Sequence, residues 1–253
     1  LIAIEKPHGK RKTDIDHPLI IMCNRSCTEF GKAVLKPEDV DGKVILEVGS
    51  YDVNGSLRPV AEAFRPTSYT GVDLISGPGV DEVCDITDLV RYFGVGVFDV
   101  VIATEVLEHV KWWRKGVTNL KHVLKPGGII IVTVPTRRCG YHGTPEDHWR
   151  FEYSDLKAIF SDFEIEEMWM SPEGEGVFLK ARRPKKLIEF DTSNYKLYSI
   201  MKKRRTLVSR GIEVGIFRAG IFLKSLRAKI FNRQPVHYGK SYISSIKSKK
   251  ELL

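Results

Sequence analysis

The sequence lacks any apolar run near the roughly 20 residues that span a bilayer, so it predicts no transmembrane helix. Residues 1–17 also lack the apolar core of a signal peptide. Cysteine is scarce, and the four present are too unevenly spaced for a disulfide framework, which favours a reducing compartment: Cys23, Cys27, Cys84 and Cys139. We therefore expect a cytoplasmic protein.

Acidic residues are scarce at one end of the chain. The 253 residues carry a net charge of +8, yet residues 181–253 hold 19 Lys and Arg against 4 Asp and Glu. Residues 1–180 are consequently acidic, with a net charge of −7. An acidic body with a basic tail indicates either two separate roles or one role at an anionic surface.

Residues 199–233 of this tail combine the run KKRR with an amphipathic helical pattern. A basic amphipathic helix is typical of contact with a membrane surface or of docking to a partner. Packing on the protein's own core and nonspecific RNA binding are the alternatives. We favour peripheral membrane contact. The apolar residues sharing one helical face are Ile212, Ile216, Ala219, Leu223, Leu226 and Ile230.

Short apolar runs alternate with helical patterns from residue 41 onward, which predicts a mainly parallel α/β sheet. A tight turn at 172–174 predicts that the last two strands are antiparallel. Ser154 is predicted to cap a helix that ends at Phe160. The predicted strands are 43–48, 68–72, 80–84, 98–103, 128–134, 163–170 and 176–182, with helices at 55–65, 87–93 and 110–123.

Pro184 marks a plausible boundary in the chain. We therefore predict an N-terminal segment at 1–40, an α/β domain at 41–183 and a basic amphipathic extension at 184–253. The chain shows neither internal repeats nor a low-complexity tract.

The stretch VILEVGSYDVNGS, residues 44–56, ends a predicted strand in a loop with only two glycines. A dinucleotide fingerprint requires three glycines in G-x-G-x-x-G spacing, which this loop does not have. Gly49 and Gly55 still let the backbone approach a ligand closely. Glu47 disfavours a pyrophosphate and suits a ligand with a positive amino group and a sulfonium. Because a buried carboxylate without a partner is costly, we expect Glu47 to be functional.

Two further acids follow predicted strands. Asp73 ends the second strand, where a carboxylate can accept both hydroxyls of a ribose. Asp85 follows the third strand and could accept from an adenine amino group. Alternatively, Asp85 and Asp88 only cap the following helix.

Five motifs occur in order: LEVGSYDVNGS, GVDL, CDITDL, FDVVIATEVLEHV and LKPGGIIIVTVP. Over residues 41–183 the chain therefore resembles class I S-adenosylmethionine-dependent methyltransferases. The resemblance implies a Rossmann-like seven-stranded α/β sheet in the order 3-2-1-4-5-7-6, with strand 7 antiparallel, and S-adenosylmethionine as cofactor. Tyr51 stands where many relatives have a second glycine, which we interpret as a variant of the motif.

The resemblance also implies which residues contact the cofactor. Glu47 and Gly49 would face its methionine portion, and Asp73 its ribose. Thr104 and Glu105 would close the pocket beside the sulfonium. The adenine would be lined by Cys84, Asp85 and Ile86, and the predicted set is completed by Ser50, Tyr51, Gly55 and Leu74.

The acceptor side is predicted from residues 137–156, RRCGYHGTPEDHWRFEYSDL, which follow the fifth strand. This segment resembles the acceptor-side loop of methyltransferases found with polysaccharide and glycolipid biosynthesis enzymes. A hydroxyl acceptor benefits from a general base, and His148 or Asp147 is the predicted one. His142 is a lesser candidate. Alternatively, His148 only hydrogen-bonds backbone.

Three neighbours of these residues have less specific predictions. Trp149 and Arg150 would shape the acceptor pocket, although Trp149 could serve only as a core anchor and Arg150 could simply pair with an acid. His109 is expected to be structural.

The predicted function is O-methylation of a small-molecule, saccharide or lipid-linked acceptor. The alternatives are an RNA or protein methyltransferase that uses the basic tail, and a non-catalytic cofactor-binding module. Neither the Asn/Asp-Pro-Pro-aromatic motif nor the Pro-Cys nucleophile of DNA methyltransferases is present. His17, Cys23 and Cys27 fit no common zinc spacing, so no metal site is predicted.

Overall fold

The computed structural model describes residues 22–52, 55–142, 146–209, 215–217, 219–220 and 223. Its strands are β1 Val44–Val48, β2 Ser68–Asp73, β3 Glu82–Val83, β4 Phe98–Thr104, β5 Leu124–Pro135, β6 Trp149–Arg150, β7 Glu164–Met170, β8 Gly176–Arg182, β9 Leu197–Ser199 and β10 Arg204–Thr206. Its α-helices are α1 Met22–Val34, α2 Pro37–Val40, α3 Arg58–Glu62, α4 Leu89–Phe93, α5 Trp113–Val123 and α6 Tyr153–Ile159, with 3-10 helices at Ile86–Asp88 and Leu107–His109.

The main sheet has seven strands in the order β3-β2-β1-β4-β5-β8-β7. The first five of these run parallel, whereas β8 is antiparallel to both β5 and β7. The predicted α/β sheet and its antiparallel strand are confirmed. The numbering differs from 3-2-1-4-5-7-6 because the short β6, which was not predicted, lies between β5 and β7 in the chain and belongs to a second sheet.

Both faces of the main sheet are buried, which explains why β4 and β5 are almost continuously apolar. Because side chains alternate along a strand, Val101 and Ala103 of β4 pack on one side, against α4, α5 and α6. Val100 and Ile102 pack on the other side, against α1, α2 and α3. The carboxyl ends of β1, β2, β4 and β5 are left at one edge, where a ligand can bind.

Helix α1, within the predicted N-terminal segment, is part of this core. Its Phe30 is fully buried, with ring centroids 5.2 Å from Trp169 and 5.4 Å from Phe178. Gly31 permits close packing, since a Cβ there would lie 2.2 Å from Leu57 Cδ2. The helix therefore reaches the sheet edge that carries the ligand-facing loops.

The start of the predicted C-terminal extension also packs on the domain. Strands β9 and β10 join β6 in a three-stranded antiparallel sheet. Arg114 of α5 donates to the carbonyls of Thr192 at 2.6 Å, Leu207 at 2.8 Å and Tyr195. Leu197 is fully buried. Residues 192–207 thus lie against the α/β domain.

The basic helix predicted after the KKRR run is described only in part. Residues 215–217, 219–220 and 223 are helical, and most of the predicted apolar stripe, including Ile212, Leu226 and Ile230, lies outside the described residues. Within the described chain, none of the helices is both long and apolar enough to cross a membrane.

The predicted cap of α6 is wrong by two residues. Glu152, not Ser154, is the N-cap, and its backbone N–H donates to the Asp155 carboxylate at 2.9 Å. Asp155 also accepts from the Tyr195 hydroxyl at 2.8 Å and pairs with Arg205. Because these contacts satisfy the beginning of the helix, Ser154 lies inside its first turn.

Candidate active site

The turn after β1 requires glycine. Gly49 has a left-handed φ of +76°, and a Cβ there would lie 2.0 Å from Val106 Cγ2. The backbone N–H groups of Gly49 and Ser50 both donate to the Val72 carbonyl, at 2.9 and 3.1 Å. The chain therefore bends sharply at the carboxyl end of β1, where bare backbone faces the sheet edge.

Asp73 sits at the end of β2 and fixes the same loop. Its carboxylate accepts from the backbone N–H of Tyr51 at 3.3 Å and of Leu74 at 2.7 Å. The Tyr51 ring lies against Gly77, where a Cβ would be 2.1 Å from a ring carbon. This packing directs the tyrosine ring toward the loop that follows β2.

Glu47 lies beneath this loop with only 2% of its surface exposed. Ser56 Oγ donates to its carboxylate at 2.9 Å and itself accepts from the Arg58 backbone N–H at 2.9 Å. Gly55 N–H donates to Asp52 at 2.7 Å and tightens the turn. Burial raises the pKa of Glu47 to about 7, so a cationic ligand group beside it would stabilise the ionised form.

The predicted adenine side lies after β3. Asp85 accepts from Thr87 N–H at 2.7 Å and caps the 3-10 helix, as the capping alternative predicted for this residue. Asp88 is the N-cap of α4, but its side chain makes no capping hydrogen bond. Cys84 and Ile86 are buried, whereas Leu74 is 54% exposed. The contact of these residues with adenine stays a prediction.

Glu105, directly after Thr104, has a strained backbone. Its φ is +54°, unusual for a residue with a Cβ, and its N–H donates to both the carbonyl and the hydroxyl of Thr133. Cys27 Sγ of α1 lies 3.5 Å from its carboxylate. Burial and the neighbouring Glu108 carboxylate raise the pKa of Glu105 to about 7. Strain of this kind clusters at functional sites.

Glu108, His109 and His142 form a cluster beside Glu105. The Glu108 carboxylate is fully buried, with His109 Nε2 at 3.6 Å and His142 Nε2 at 3.7 Å from its Oε1. The two rings meet edge to face, with centroids 5.2 Å apart. Sequence reasoning missed this cluster because His142 comes from a segment well after Glu108. The three-residue spacing of Glu105 and Glu108 is the one signal that could have drawn attention to it.

Arg150 and Asp147 form a buried ion pair that shapes the acceptor loop, residues 137–150. The guanidinium contacts both carboxylate oxygens and donates to the Cys139 carbonyl at 3.0 Å. Burial opposes ionisation, but Arg150 holds the pKa of Asp147 below its usual value. Trp149 is fully buried and donates to the Val110 carbonyl at 3.0 Å. Arg150 therefore pairs with an acid and Trp149 is anchored in the core, as the alternatives to an acceptor-pocket role predicted.

His148 is also fully buried. Its Nδ1 lies 2.9 Å from the Ser209 hydroxyl, and its Nε2 is 3.2 Å from a Glu146 carboxylate oxygen. Its backbone N–H donates to the Glu108 carbonyl at 2.8 Å, and its carbonyl accepts from Ile200. Burial lowers the pKa of His148. His148 therefore contacts Glu146 of the acceptor loop and Ser209 of the C-terminal extension. Its catalytic role remains a prediction.

Solved structures of other proteins have a similar fold. The structure resembles 1,6-didemethyltoxoflavin-N1-methyltransferase from Burkholderia thailandensis, solved with 1,6-didemethyltoxoflavin and S-adenosylhomocysteine: TM-score 0.52, 15% identity, 62% of this chain and 78% of that one. It also resembles the N-methyltransferase NodS from Bradyrhizobium japonicum WM9 with S-adenosylhomocysteine: TM-score 0.49, 15% identity, 67% and 90% coverage. No curated protein sequence matches the chain.

A family described as "Methyltransferase domain" matches residues 24–171, more than half of the chain. This match includes α1, the turn after β1, the end of β4 and the acceptor loop. The protein therefore belongs to the methyltransferase-domain family, which uses S-adenosylmethionine as its methyl donor.

Proposed function

We propose that the protein methylates a hydroxyl group of a small-molecule acceptor, with a saccharide or lipid-linked saccharide as the preferred class. One observation carries the proposal: Glu105, Glu108, His109 and His142 converge at the carboxyl end of β4. A hydroxyl must lose its proton as the methyl group is transferred, and carboxylates and imidazoles are the groups that assist this step.

The cofactor would lie across the carboxyl ends of the parallel strands. Glu47 would pair with its ammonium group, and Asp73, already oriented by Tyr51 and Leu74 N–H, would accept from the ribose. Thr104 and Glu105 would face the sulfonium. The adenine contacts are those proposed for Cys84, Asp85 and Ile86.

The surroundings of Glu105 favour a small acceptor. Helix α1 contributes Cys27, which touches the Glu105 carboxylate. The ring of Phe217, in the described part of the C-terminal helix, lies 4.9 Å from the ring of Tyr141 in the acceptor loop. Helix α1 and the segment after β5, through Cys27 and His142, thus lie beside the residues that follow β4, which suits a small molecule better than a folded macromolecule. The preference for saccharides rests on the resemblance of the segment DHWRF to known acceptor loops.

Glu105 is the proposed general base. A base must touch the acceptor, and an effective one has a pKa near the working pH, as burial gives Glu105. The sequence favoured His148 or Asp147, but both are buried, and the ion pair makes Asp147 a weak base. We propose that these two residues position the loop.

Peripheral membrane contact through residues 199–233 is part of the proposal. Arg205 pairs with Asp155, so it serves the fold. The basic residues after 217 would supply the attraction to anionic lipid.

The test is transfer of labelled methyl from S-adenosylmethionine into a fractionated extract of the source cells. We expect label in the saccharide or lipid fraction, and we expect Glu105→Gln to abolish it. S-adenosylhomocysteine lacks the sulfonium that Glu105 would face, so the variant should still bind it. The matched control is Glu29→Gln, which removes an exposed carboxylate of α1 paired with Arg25. Label in RNA or protein, or equal transfer by the two variants, would contradict the proposal.

A further inference from the structure

We propose that Glu108, His109 and His142 form a binding site for one divalent transition-metal ion such as Zn²⁺. Their candidate ligand atoms all lie within 4.8 Å of one another. One carboxylate and two imidazoles form a donor set found in catalytic zinc sites and in non-haem iron sites.

The burial of the Glu108 carboxylate is the second observation that supports the proposal. The side chain is fully buried, and neither oxygen has a hydrogen-bond partner within the described chain. The ring nitrogens at 3.6 and 3.7 Å are beyond hydrogen-bond distance. A buried carboxylate without a hydrogen bond is unfavourable unless a cation lies beside it. That cation can be a metal ion held with the two rings, or a protonated ring of His109 or His142, both of which are within ion-pair distance.

Both histidines are oriented as metal ligands. His109 Nδ1 lies 2.6 Å from the Glu146 carbonyl, and His142 Nδ1 lies 3.3 Å from the Gly140 carbonyl. A carbonyl oxygen can only accept, so each Nδ1 is the donor, and a ring that has released its second proton to a metal ion carries its lone pair on Nε2. Each Nε2 faces the Glu108 carboxylate. Outer hydrogen bonds to backbone carbonyls are how metal-ligating imidazoles are held.

The two distances from the Glu108 carboxylate to the histidine nitrogens suit a small ion. Bonds of about 2.1 Å in tetrahedral geometry place neighbouring ligand atoms about 3.4 Å apart. The observed separations from Glu108 Oε1 exceed this by a few tenths of an ångström. Magnesium and calcium prefer oxygen ligands, so a nitrogen-rich set favours zinc and its neighbours. The 39% exposure of the His142 side chain leaves the site accessible to a further ligand.

The further ligand would be the acceptor hydroxyl, an assignment that rests on the proposed function. Coordination lowers the pKa of the hydroxyl. Its proton passes to Glu105, the oxygen forms the new bond to the methyl carbon, and the sulfur–methyl bond breaks to leave S-adenosylhomocysteine.

The site is tested by titrating the full chain, stripped with a chelator, with Zn²⁺ in a calorimeter without cofactor or acceptor. We expect one equivalent to bind. We expect His142→Ala and Glu108→Gln to weaken binding by more than the roughly 10- to 100-fold typical of losing an outer partner. The matched control is His122→Ala, which removes another histidine beside a carboxylate, Glu189 at 2.8 Å, and should bind as the wild type does.

Thermal unfolding provides a second measurement. Zn²⁺ should raise the Tm of the wild type and of His122→Ala but not that of His142→Ala, whose half-exposed side chain is removed without opening the core. Equal Zn²⁺ binding by the wild type and His142→Ala overturns the proposal, as does a wild type that binds none. Because no acceptor is present, this result is independent of the methyl-transfer assay: zinc binding with no label transferred would contradict only the proposed function.

Discussion

Glu47 makes stability depend on pH in a direction that can be calculated. Burial raises its pKa from 4.5 to about 7. Between these values the folded chain holds a proton that the unfolded chain has released, so stability falls as pH rises through this window. A shift of this size corresponds to about 3 kcal/mol, present in full below about pH 4.5 and lost by about pH 8.

The perturbation is Glu47→Gln, which keeps an oxygen that can accept from Ser56. Urea unfolding would be measured from about pH 5 to about pH 8, without cofactor. Other groups also titrate, including Glu105, so the informative quantity is the stability of the variant minus that of the wild type. We expect this difference to grow by about 2.5 kcal/mol in favour of the variant between pH 5 and pH 8, because part of the change has already occurred below pH 5.

Cofactor affinity should follow the opposite course. If Glu47 pairs with the cofactor's ammonium group, binding favours the ionised carboxylate, and wild-type affinity for S-adenosylhomocysteine should rise by about tenfold from pH 6 to pH 8. The Glu47→Gln variant should lack this rise. A stability difference that stays constant with pH would refute the calculation, and equal affinity profiles would refute the pairing.

Three further predictions concern other parts of the molecule. Gly49→Ala should weaken S-adenosylhomocysteine binding at least tenfold in calorimetry, because its φ is left-handed and a Cβ meets Val106; unchanged affinity would place the cofactor elsewhere. Asp147→Asn should destabilise the chain by about 3–5 kcal/mol in urea, since it leaves the buried Arg150 unpaired; a loss below about 1 kcal/mol would mean that the loop relaxes. Replacing the Lys and Arg of residues 224–229 by Gln should abolish sedimentation with anionic vesicles while leaving neutral vesicles unaffected; persistent sedimentation would remove the membrane role from the tail.

The sheet was predictable because its elements have local patterns. Buried parallel strands are continuously apolar, which located β4 and β5, and the short turn at 172–174 predicted the antiparallel β7 and β8. Strands of two or three residues show little periodicity, so β6, β9 and β10 were missed, whereas the equally short β3 lies within the strand predicted at 80–84. The packing of α1 depends on partners far along the chain, among them Phe178.

In the candidate site, too, residues with a local sequence pattern could be predicted, whereas those that depend on distant contacts could not. Glu47 was expected to be buried because it interrupts an apolar strand, and its burial is confirmed. The acceptor side depends on contacts between distant residues, such as His148 with Ser209 and Glu108 with His142. Pairing of Arg150 with an acid was one of the alternatives, but the exposure of each side chain could not be inferred there, and the sequence favoured a histidine that the fold encloses.

The packing of the C-terminal extension on the acceptor loop, through β9 and Ser209, has a consequence for synthesis of the chain. The last strand of the main sheet ends at Arg182, so the cofactor side can fold as soon as that residue has left the ribosome. The acceptor loop must wait for β9, which pairs with β6, and for Ser209, which contacts His148. Under the proposed function, a nascent chain would thus bind its methyl donor before it could hold an acceptor, and acceptor binding would begin only once the extension has been translated.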